Sequence, residues 1–275
     1  MDFKITKMKQ DYRYEMKQEH YHDYHEIYYL ISGKRKMFLG SKVYTLEAGD
    51  LVMIPKGEIH RTTFENEFEE DNVETFRVVM SFSEAFVSDF VKQLKAKSYE
   101  KCFGIRKVSV PLNKRAGLEA LFDQLLIEHK DRDELSEYLC KSYCGQVLAF
   151  FMRMQDKKED EEKTLLSSDL DMEKAAQYIS NHFQNQITLD FIARKYCMSN
   201  SYFSKRFKMV TGFGFKEYLN TVRIRHACDL LLTSDDNITE ISYQCGFTDS
   251  NYFGDAFRKI MNVSPREYRK SNLIR

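Results

Sequence analysis

Three histidines and one glutamate near the start of the chain have the types and spacing of a metal-ligand set. His20, His22 and Glu26 follow one another at short intervals, and His60 comes later in the chain. Imidazole and carboxylate groups together bind divalent first-row metal ions. The same side chains, with Tyr28, also suit a second interpretation, in which they line the pocket of a small organic ligand. Spacing alone leaves both interpretations open.

A second group of polar side chains, near the other end of the chain, has the chemistry of a DNA-reading surface. Its members lie on two predicted helices: Ser201, Ser204, Lys205 and Lys208 on the first, and Ser250, Asn251, Asp255, Arg258 and Lys259 on the second. A short helix that starts with small hydrogen-bonding groups and ends with cations fits a major groove. Its start reaches base edges and its basic end reaches phosphates.

An internal repeat places these two helices. Three positions that begin at Leu189 recur 49 residues later from Ile238, and six positions from Tyr202 to Tyr218 recur 50 residues later. The apolar spacing within each copy predicts a helix-turn-helix, and an internal repeat is strong organisational evidence. We predict N-caps at Thr188, Ser199, Asn237 and either Thr248 or Asp249. The aromatic residues of the second helices are predicted to be buried: Tyr202, Phe203, Phe207, Tyr252, Phe253 and Phe257.

Two further helices complete the predicted DNA-binding domain, or reader domain. A long helix from Phe215 joins the copies, with an apolar stripe from Tyr218 to Leu231 and with Arg223 and Arg225 off that stripe. Such a rod holds two readers about one DNA turn, roughly 34 Å, apart. A helix from Met172 to Phe183 is predicted to pack beneath the first copy.

The first 82 residues read as antiparallel β-structure. Short strands rich in Ile, Val, Tyr and Phe are predicted at 26–32, 36–39, 42–46, 51–54 and 76–82, separated by glycine-containing turns. Many short strands at close spacing favour a barrel or a jelly roll. On the first of these strands, His25 is predicted to point away from the metal-ligand set.

Residues 83–155 are predicted to be helical, and two long apolar stripes lie within them. Those helices pack on the barrel or on a partner subunit, and the sequence leaves the choice open. A charged, aperiodic stretch at 156–171 is predicted to be a linker, and the reader domain follows at 172–275.

The balanced net charge of the whole chain hides an asymmetry between its parts. Residues 172–275 contain 15 Lys and Arg against 10 Asp and Glu, whereas residues 1–171 contain 27 against 32. The basic part is the part with the repeat, as phosphate binding requires. We find no signal peptide and no membrane-length apolar run, so we expect a cytoplasmic protein. The six cysteines form no C-x-x-C pair and are expected to be reduced and mostly buried; a redox switch is a third hypothesis.

The repeat resembles the DNA-binding domain of the AraC/XylS family of bacterial transcription factors over about the last 100 residues. "ISYQCGFTDSNYFGDAFRKIMNVSPREYR" follows the family pattern throughout. The resemblance implies that both second helices enter successive major grooves on one side of the duplex. Carried over by position, it implies base-reading roles for Ser201, Ser204, Lys205, Ser250, Asn251 and Asp255. An acid at Asp255 departs from the family pattern, and a pair with Arg258 is an alternative.

The N-terminal part resembles the cupin barrel. "HYHDYHEIYYLISG" and "GDLVMIPKGEIH" match its two motifs, although Tyr14 and Phe64 replace a glycine and an asparagine of the pattern. In metal-binding cupins the equivalents of the histidine and glutamate set hold a divalent ion. In AraC-type regulators the barrel usually senses a small molecule without a metal.

These observations predict an α+β protein. It comprises an N-terminal antiparallel cupin-like β-barrel (1–82) with flanking helices (83–155) and a C-terminal all-α domain of two helix-turn-helix units joined by a long helix. We expect a sequence-specific transcription regulator, more often an activator, that is controlled by a small-molecule effector. Expected partners are double-stranded DNA, the effector, RNA polymerase and a second copy of the chain, with no membrane and no required cofactor. The alternative is a metal-dependent cupin enzyme with an attached DNA-binding domain.

Overall fold

The computed structural model describes residues 2–10, 22–63, 74–94, 103–104, 106–155 and 167–273. Within these ranges the N-terminal part forms eight strands: β1 Phe3–Gln10, β2 His25–Ser32, β3 Lys34–Leu39, β4 Lys42–Glu47, β5 Asp50–Ile54, β6 His60–Thr63, β7 Thr75–Phe82 and β8 Lys107–Ser109. A five-stranded sheet has the order β1-β7-β2-β5-β8, and a three-stranded sheet has the order β4-β3-β6. All the pairings are antiparallel, which confirms the predicted cupin-like fold.

The five predicted strands are present, and three more were missed in the sequence. In β1, Lys4, Lys7 and Lys9 interrupt the apolar residues and Ile5 is the buried apolar side chain, so the strand has little apolar signal. The other two, β6 and β8, have only 4 and 3 residues. Pairing with a longer neighbour, rather than local propensity, decides such short strands.

Side-chain alternation along the sheets separates two apolar layers. Tyr28 and Leu30 of β2 pack with Met37 and Leu39 of β3 between the two sheets. Tyr29, on the opposite face of β2, belongs to a larger core outside the barrel. A strand with both faces covered is buried almost throughout, and β2 is.

Three helices cover the outer face of the five-stranded sheet. They are α1 Ser88–Lys92, α2 Leu112–Asp131 and α3 Ser136–Gln155. Leu118 and Phe122 of α2 and Phe151 of α3 are buried in the same core as Tyr29. The long helices therefore pack on the barrel. Their remaining surface still exposes Leu112, Ile127 and Tyr138, and Leu135 is exposed in the turn between α2 and α3.

Seven helices form the C-terminal part: α4 Ser167–His182, α5 Leu189–Lys195, α6 Asn200–Thr211, α7 Phe215–Thr233, α8 Ile238–Gln244, α9 Ser250–Met261 and α10 Pro265–Leu273. The joining helix α7 contributes to two separate cores. Tyr218 and Val222 pack with α4, α5 and α6, whereas Ala227 and Leu231 pack with α8 and α9. Because one rigid helix enters both cores, the two helix-turn-helix units are held in a fixed relation.

Two sequence-based expectations need correction, and one residue was given no partner by the sequence. Helix α4 begins at Ser167, inside the stretch that we predicted to be a linker; residues 156–166 of that stretch lie outside the described ranges. Tyr202 and Tyr252 are exposed, because each is one residue, or about 100°, away from its buried phenylalanine around the helix. Arg223 is buried, and it donates to the carbonyl oxygens of Phe183 and Asn185.

The three-stranded sheet packs directly against the C-terminal helices. Phe38 lies 5.9 Å from Phe213 and 5.7 Å from Tyr218, measured between ring centroids, and is buried in the core of the first helix-turn-helix. The Tyr218 hydroxyl donates to the Gly40 carbonyl at 3.0 Å. The barrel and the first unit thus share apolar and polar contacts. None of the helices in the described ranges has the length and hydropathy needed to cross a membrane.

Candidate nucleic-acid interface and ligand pocket

Local capping chemistry fixes the ends of the helix-turn-helix units. Thr188 accepts from the Phe191 amide at 3.1 Å and Ser199 accepts from the Tyr202 amide at 3.3 Å. In the second copy, Asn237 accepts from the Glu240 amide at 2.9 Å and Asp249 accepts from the Asn251 amide at 2.7 Å. Each predicted cap therefore satisfies a free amide at a helix start. Of the two candidates Thr248 and Asp249, the cap of α9 is Asp249.

The polar residues predicted on α6 lie on its accessible side. Ser201, Lys205 and Lys208 are exposed and Ser204 is partly exposed, whereas Phe203 and Phe207 are buried. Their spacing of three to four residues places them along one face of the helix. The arrangement gives α6 small polar groups at its start and a cation at its end.

Helix α9 repeats this arrangement. Asn251, Asp255, Arg258 and Lys259 are exposed and Ser250 is partly exposed. No ion pair within 4.0 Å joins Asp255 to Arg258, so the alternative role that we considered for this acid is not observed. The exposed face of α9 thus carries one acid among amide, hydroxyl and basic groups.

Two residues that shape this surface were not found from the sequence. The Tyr252 hydroxyl accepts from the Asn220 side-chain amide at 2.7 Å, and Lys216 Nζ lies 5.0 Å from the centre of the Tyr252 ring. Tyr252 thereby links the start of α9 to the joining helix. Arg223, also on that helix, lies 5.4 Å from the Phe247 ring in the turn before α9. These partners are 24 to 36 positions apart in sequence and leave no local pattern that could reveal them.

In the barrel, three of the four predicted metal ligands come together. Donor atoms of His22, Glu26 and His60 all lie within 4.8 Å of one another, and all three residues are buried. Nδ1 of His22 lies 2.7 Å from the Tyr24 carbonyl oxygen, and Nδ1 of His60 lies 2.9 Å from the Glu58 carbonyl oxygen. A ring whose Nδ1–H donates to a carbonyl presents the lone pair of Nε2. The set therefore fits a divalent ion, and it equally fits a ligand hydroxyl. His20 lies outside the described residues.

His25 lies on the other side of β2, as predicted. Its ring is 4.3 Å from Phe103 and 5.7 Å from Phe82, and its Nε2 is 3.6 Å from Glu84. Burial lowers the pKa of His25 to about 4. A neutral, buried His25 is part of the outer core and is separate from the metal-ligand set.

A cavity of about 170 Å³ lies between the two sheets next to this set. Glu26, Tyr28 and His60, three of the side chains considered for an effector pocket, line it, whereas His22 does not. Arg77, which we had not singled out, lines it as well. The strand register explains the lining, because Glu26 pairs with Ser81 and Leu30 pairs with Arg77 on the neighbouring strand β7.

The cysteines give the redox hypothesis little support. Cys140, Cys144, Cys228 and Cys245 are buried, and Cys197 is exposed. Burial raises the pKa of the Cys140 thiol to about 11 and that of Cys245 to about 12. Protonated, buried thiols are poor nucleophiles. Cys102 lies outside the described residues.

Comparisons with known proteins agree with both parts of the fold. A family model described as a helix-turn-helix domain matches residues 192–271, and one described as a cupin domain matches residues 13–79. The HTH-type transcriptional activator RhaR of Mannheimia succiniciproducens is 23% identical over 250 residues, covering 91% of this chain and 86% of RhaR. The HTH-type transcriptional activator RhaS of Escherichia coli (strain SE11) is 25% identical over 253 residues, covering 92% of this chain and 87% of RhaS. Among solved structures, the C-terminal domain of AraT, a response regulator from Geobacillus stearothermophilus, is 35% identical; the match covers 38% of this chain and 88% of that one, with a TM-score of 0.37.

The fold and the exposed polar helices define a DNA-binding transcription regulator with an attached cupin-like barrel. The chain belongs to the AraC/XylS family of bacterial transcription factors.

Proposed function

We propose that this regulator is a transcriptional activator whose DNA-binding domain is controlled by a small molecule in the barrel. The observation that carries the proposal is a pair of capped helices, α6 and α9, whose exposed polar faces are held by one joining helix with a side chain in each core. Activation is proposed because the relatives RhaR and RhaS are named transcriptional activators. We propose the domain limits given by the sequence, with α4 extending the reader to Ser167.

The two helices read bases in adjacent major grooves in this proposal. Ser201, Ser204 and Lys205 contact base edges from α6, and Ser250, Asn251 and Asp255 do so from α9. Asn pairs with adenine through two hydrogen bonds, Lys favours guanine and Asp accepts from the cytosine amino group. Lys208, Arg258 and Lys259 bind phosphate, which positions the helices without reading sequence.

The effector occupies the cavity between the sheets. Its polar groups are bound by His22, Glu26, Tyr28 and His60, together with His20. The histidine and glutamate set also supports a divalent ion as a second possible occupant. A bound ion would act as a Lewis acid toward a ligand oxygen.

Contacts between the barrel and the first helix-turn-helix provide a route for control. Arg61 of β6 donates to the Gly212 carbonyl at the end of α6 and lies 5.7 Å from the Phe213 ring. Lys36 of β3 lies 3.5 Å from Asp169 of α4, which also pairs with Arg206 of α6. A change in the spacing of β3 and β6 around a ligand would therefore alter the contacts that hold α6. An effector acts by its different affinity for the two arrangements.

A homodimer is the proposed assembly, with RNA polymerase as a protein partner on DNA. Tyr138 of α3, Leu135 just before α3, and Leu112 and Ile127 of α2 are exposed apolar side chains beside the core that joins these helices to the barrel. Exposed apolar groups on one surface are typical of association sites. A protein that acts on bacterial DNA and RNA polymerase works in the cytoplasm.

Selection of bound sites from random DNA tests the proposed function. The full chain should enrich a sequence with two short determinants one helical turn apart, and addition of metabolites from a cell extract should change the amount of DNA bound. Enrichment of no sequence would refute the regulator. Enrichment that never responds to any metabolite would refute control by an effector.

The alternative, a metal-dependent enzyme, rests on the same His22, Glu26 and His60 set. Metal analysis of the purified chain and of His60→Ala separates the two. A stoichiometric metal that is lost in His60→Ala, together with loss of small-molecule turnover, would favour the enzyme. We expect no turnover in either protein, because the relatives RhaR and RhaS are regulators.

A further inference from the structure

Arg77 is a buried cation with no carboxylate partner among the residues that the structure describes. Only 5% of its surface is exposed, and it lies on β7, between β1 and β2 in the five-stranded sheet. Its Nε forms no hydrogen bond in the described part of the chain. The Tyr28 ring lies 5.4 Å from the guanidinium carbon and supports one face of the group. A cation–π contact leaves the in-plane N–H donors of an arginine unsatisfied.

The strand register aims this cation into the cavity. Along β7, Arg77, Val79 and Ser81 point between the sheets, and all three line the cavity. Arg77 pairs with Leu30 and Met8, whereas Ser81 pairs with Glu26 and Lys4. The four residues from Arg77 to Ser81 separate these positions by roughly 13 Å along the strand. The cavity therefore has a guanidinium end and, away from it, the Glu26 and His60 end.

Each end has its own chemistry. At the first end the buried Tyr28 hydroxyl also lacks a hydrogen-bond partner within 3.5 Å in the described residues, so it can join Arg77 in binding an acceptor. A planar guanidinium matches a carboxylate with two parallel hydrogen bonds. The other end and the walls offer acceptors and hydroxyl groups, including Glu26, Thr6 and Thr62, and these suit a ligand's own hydroxyl groups. The second cation of the lining, Lys4, is exposed to solvent, so it needs no ligand to compensate its charge.

We propose that the effector is a small polyhydroxylated carboxylate, such as a sugar acid, whose carboxylate binds Arg77. The inference rests on the proposed function, since it names the chemical class that the barrel senses. A neutral sugar would leave the buried cation uncompensated, and a buried charge without a partner is costly. A long apolar acid does not match walls that are mostly polar.

The test uses the full chain and matched pairs of probes that differ in one group. Thermal unfolding is measured with D-galacturonate against D-galactose and with D-glucuronate against D-glucose. The carboxylates should raise the unfolding temperature, and titration calorimetry should give at least about tenfold tighter binding than for the neutral partners. Equal stabilisation by both members of each pair, or stabilisation by the neutral sugars alone, would overturn the proposal. So would no stabilisation by any of these probes.

The variants Arg77→Met and Arg35→Met provide a second, independent readout. Without ligand, Arg77→Met should unfold at the same or a higher temperature than the parent, because it replaces an unpaired buried charge with an apolar chain of similar length. Arg35 is equally buried but donates to Thr75 Oγ1 at 3.0 Å, so Arg35→Met should unfold at a lower temperature. Arg77→Met should also lose the carboxylate-dependent shift. If Arg77→Met is destabilised as strongly as Arg35→Met, or still responds to the carboxylates, the assignment fails.

A measurement of DNA binding separates the ligand assignment from the proposed function as a regulator. The affinity of the parent chain for selected DNA is therefore measured alongside its response to the carboxylates. A chain that binds the carboxylates through Arg77 but selects no DNA would refute the regulator and leave the ligand assignment standing. A chain that selects DNA but does not bind the carboxylates would refute the ligand assignment and leave the regulator standing.

Discussion

Asn251 and Lys208 represent the two kinds of contact that a DNA-binding helix makes. Asn251 is exposed near the start of α9, next to the cap formed by Asp249. Lys208 is exposed in the last turn of α6. An amide near the start of a recognition helix reads a base edge, whereas a cation at its end binds a phosphate of any sequence.

Replacement of Asn251 by alanine should cost about 1–3 kcal/mol of binding free energy at one base position and relax the preference there. Lys208→Ala is the matched control, and it should weaken binding to all sequences alike and reduce the salt dependence. Quantitative binding to a set of singly substituted sites measures both effects. Unchanged affinity and unchanged preference in Asn251→Ala would show that α9 is placed wrongly on DNA.

At the level of elements, the turn between α8 and α9 depends on Gly246. Its φ is +83°, and an added Cβ would lie 2.7 Å from the carbonyl oxygens of Phe183 and Gln184. Both are backbone atoms that cannot move away cheaply. Gly254, within α9, has no atom within 4 Å of an added Cβ. The backbone thus requires a glycine at position 246, whereas position 254 has room for a side chain.

Gly246→Ala should lower the free energy of unfolding by at least about 1–3 kcal/mol, from backbone strain alone. Gly254→Ala should raise it by about 0.5–1 kcal/mol, because alanine is the better residue in a helix. Denaturant unfolding of the full chain measures both changes. A Gly246→Ala protein as stable as the parent would contradict the close approach of this turn to the end of α4.

His226 makes the joining helix sensitive to acid. Burial, with a smaller effect of Arg225, lowers the pKa of His226, while Asp229 opposes the shift. Its ring stacks on Phe183 at 4.0 Å. The folded protein therefore favours neutral His226. Its contribution to stability is present above the unfolded pKa of about 6.5 and is lost as the pH falls below that value.

His226→Gln should reduce the loss of stability on acidification from about pH 7 to pH 5, since the group that must gain a proton has been removed. The unfolding temperature of parent and variant across this range measures the difference. Parallel curves for the two proteins would show that His226 is not held neutral by the fold.

The sequence predicts some of these elements much better than others. The caps at Thr188, Ser199 and Asn237 and the buried Phe203 and Phe257 follow from local chemistry and helical spacing, and the structure confirms them. The prediction that both tyrosines beside the phenylalanines are buried was wrong, because each lies about 100° around the helix from its buried neighbour. The Tyr252 hydroxyl, in addition, accepts from Asn220.

Contacts between residues that are distant in the sequence explain the features that the sequence did not predict. The burial of Arg223, which lies off the apolar stripe, depends on carbonyl partners that are 38 and 40 positions away in sequence. Arg77 received no role because its burial depends on which strands flank β7. For the metal-ligand set, the motif spacing anticipated the meeting of His22, Glu26 and His60, whereas the contacts of the two rings with the Tyr24 and Glu58 carbonyls, from which the tautomers are inferred, required the structure.

On the scale of the whole molecule, Phe38 connects the two parts. This barrel residue is 2% exposed and belongs to the core formed by α4, α5, α6 and α7. Phe82 is equally buried, but in the outer core of the barrel with α2 and α3. The two phenylalanines therefore test whether the barrel supports the first helix-turn-helix.

Phe38→Ala should cost about 3–5 kcal/mol and speed amide hydrogen exchange in α6 and α7, because the cavity opens in their core. Phe82→Ala should cost a similar amount but leave exchange in α6 and α7 close to that of the parent. Exchange measured by mass spectrometry resolves the two cases. Equal protection of α6 in both variants would show that the barrel does not stabilise the reader.

Hydroxyl-radical footprinting of the full chain on a selected site tests the central claim most directly. We predict two protected patches on one face of the duplex, separated by about one helical turn, with Asn251→Ala weakening only the patch that α9 covers. A single patch, or two patches on opposite faces, would contradict a reader in which α7 holds α6 and α9 over adjacent major grooves.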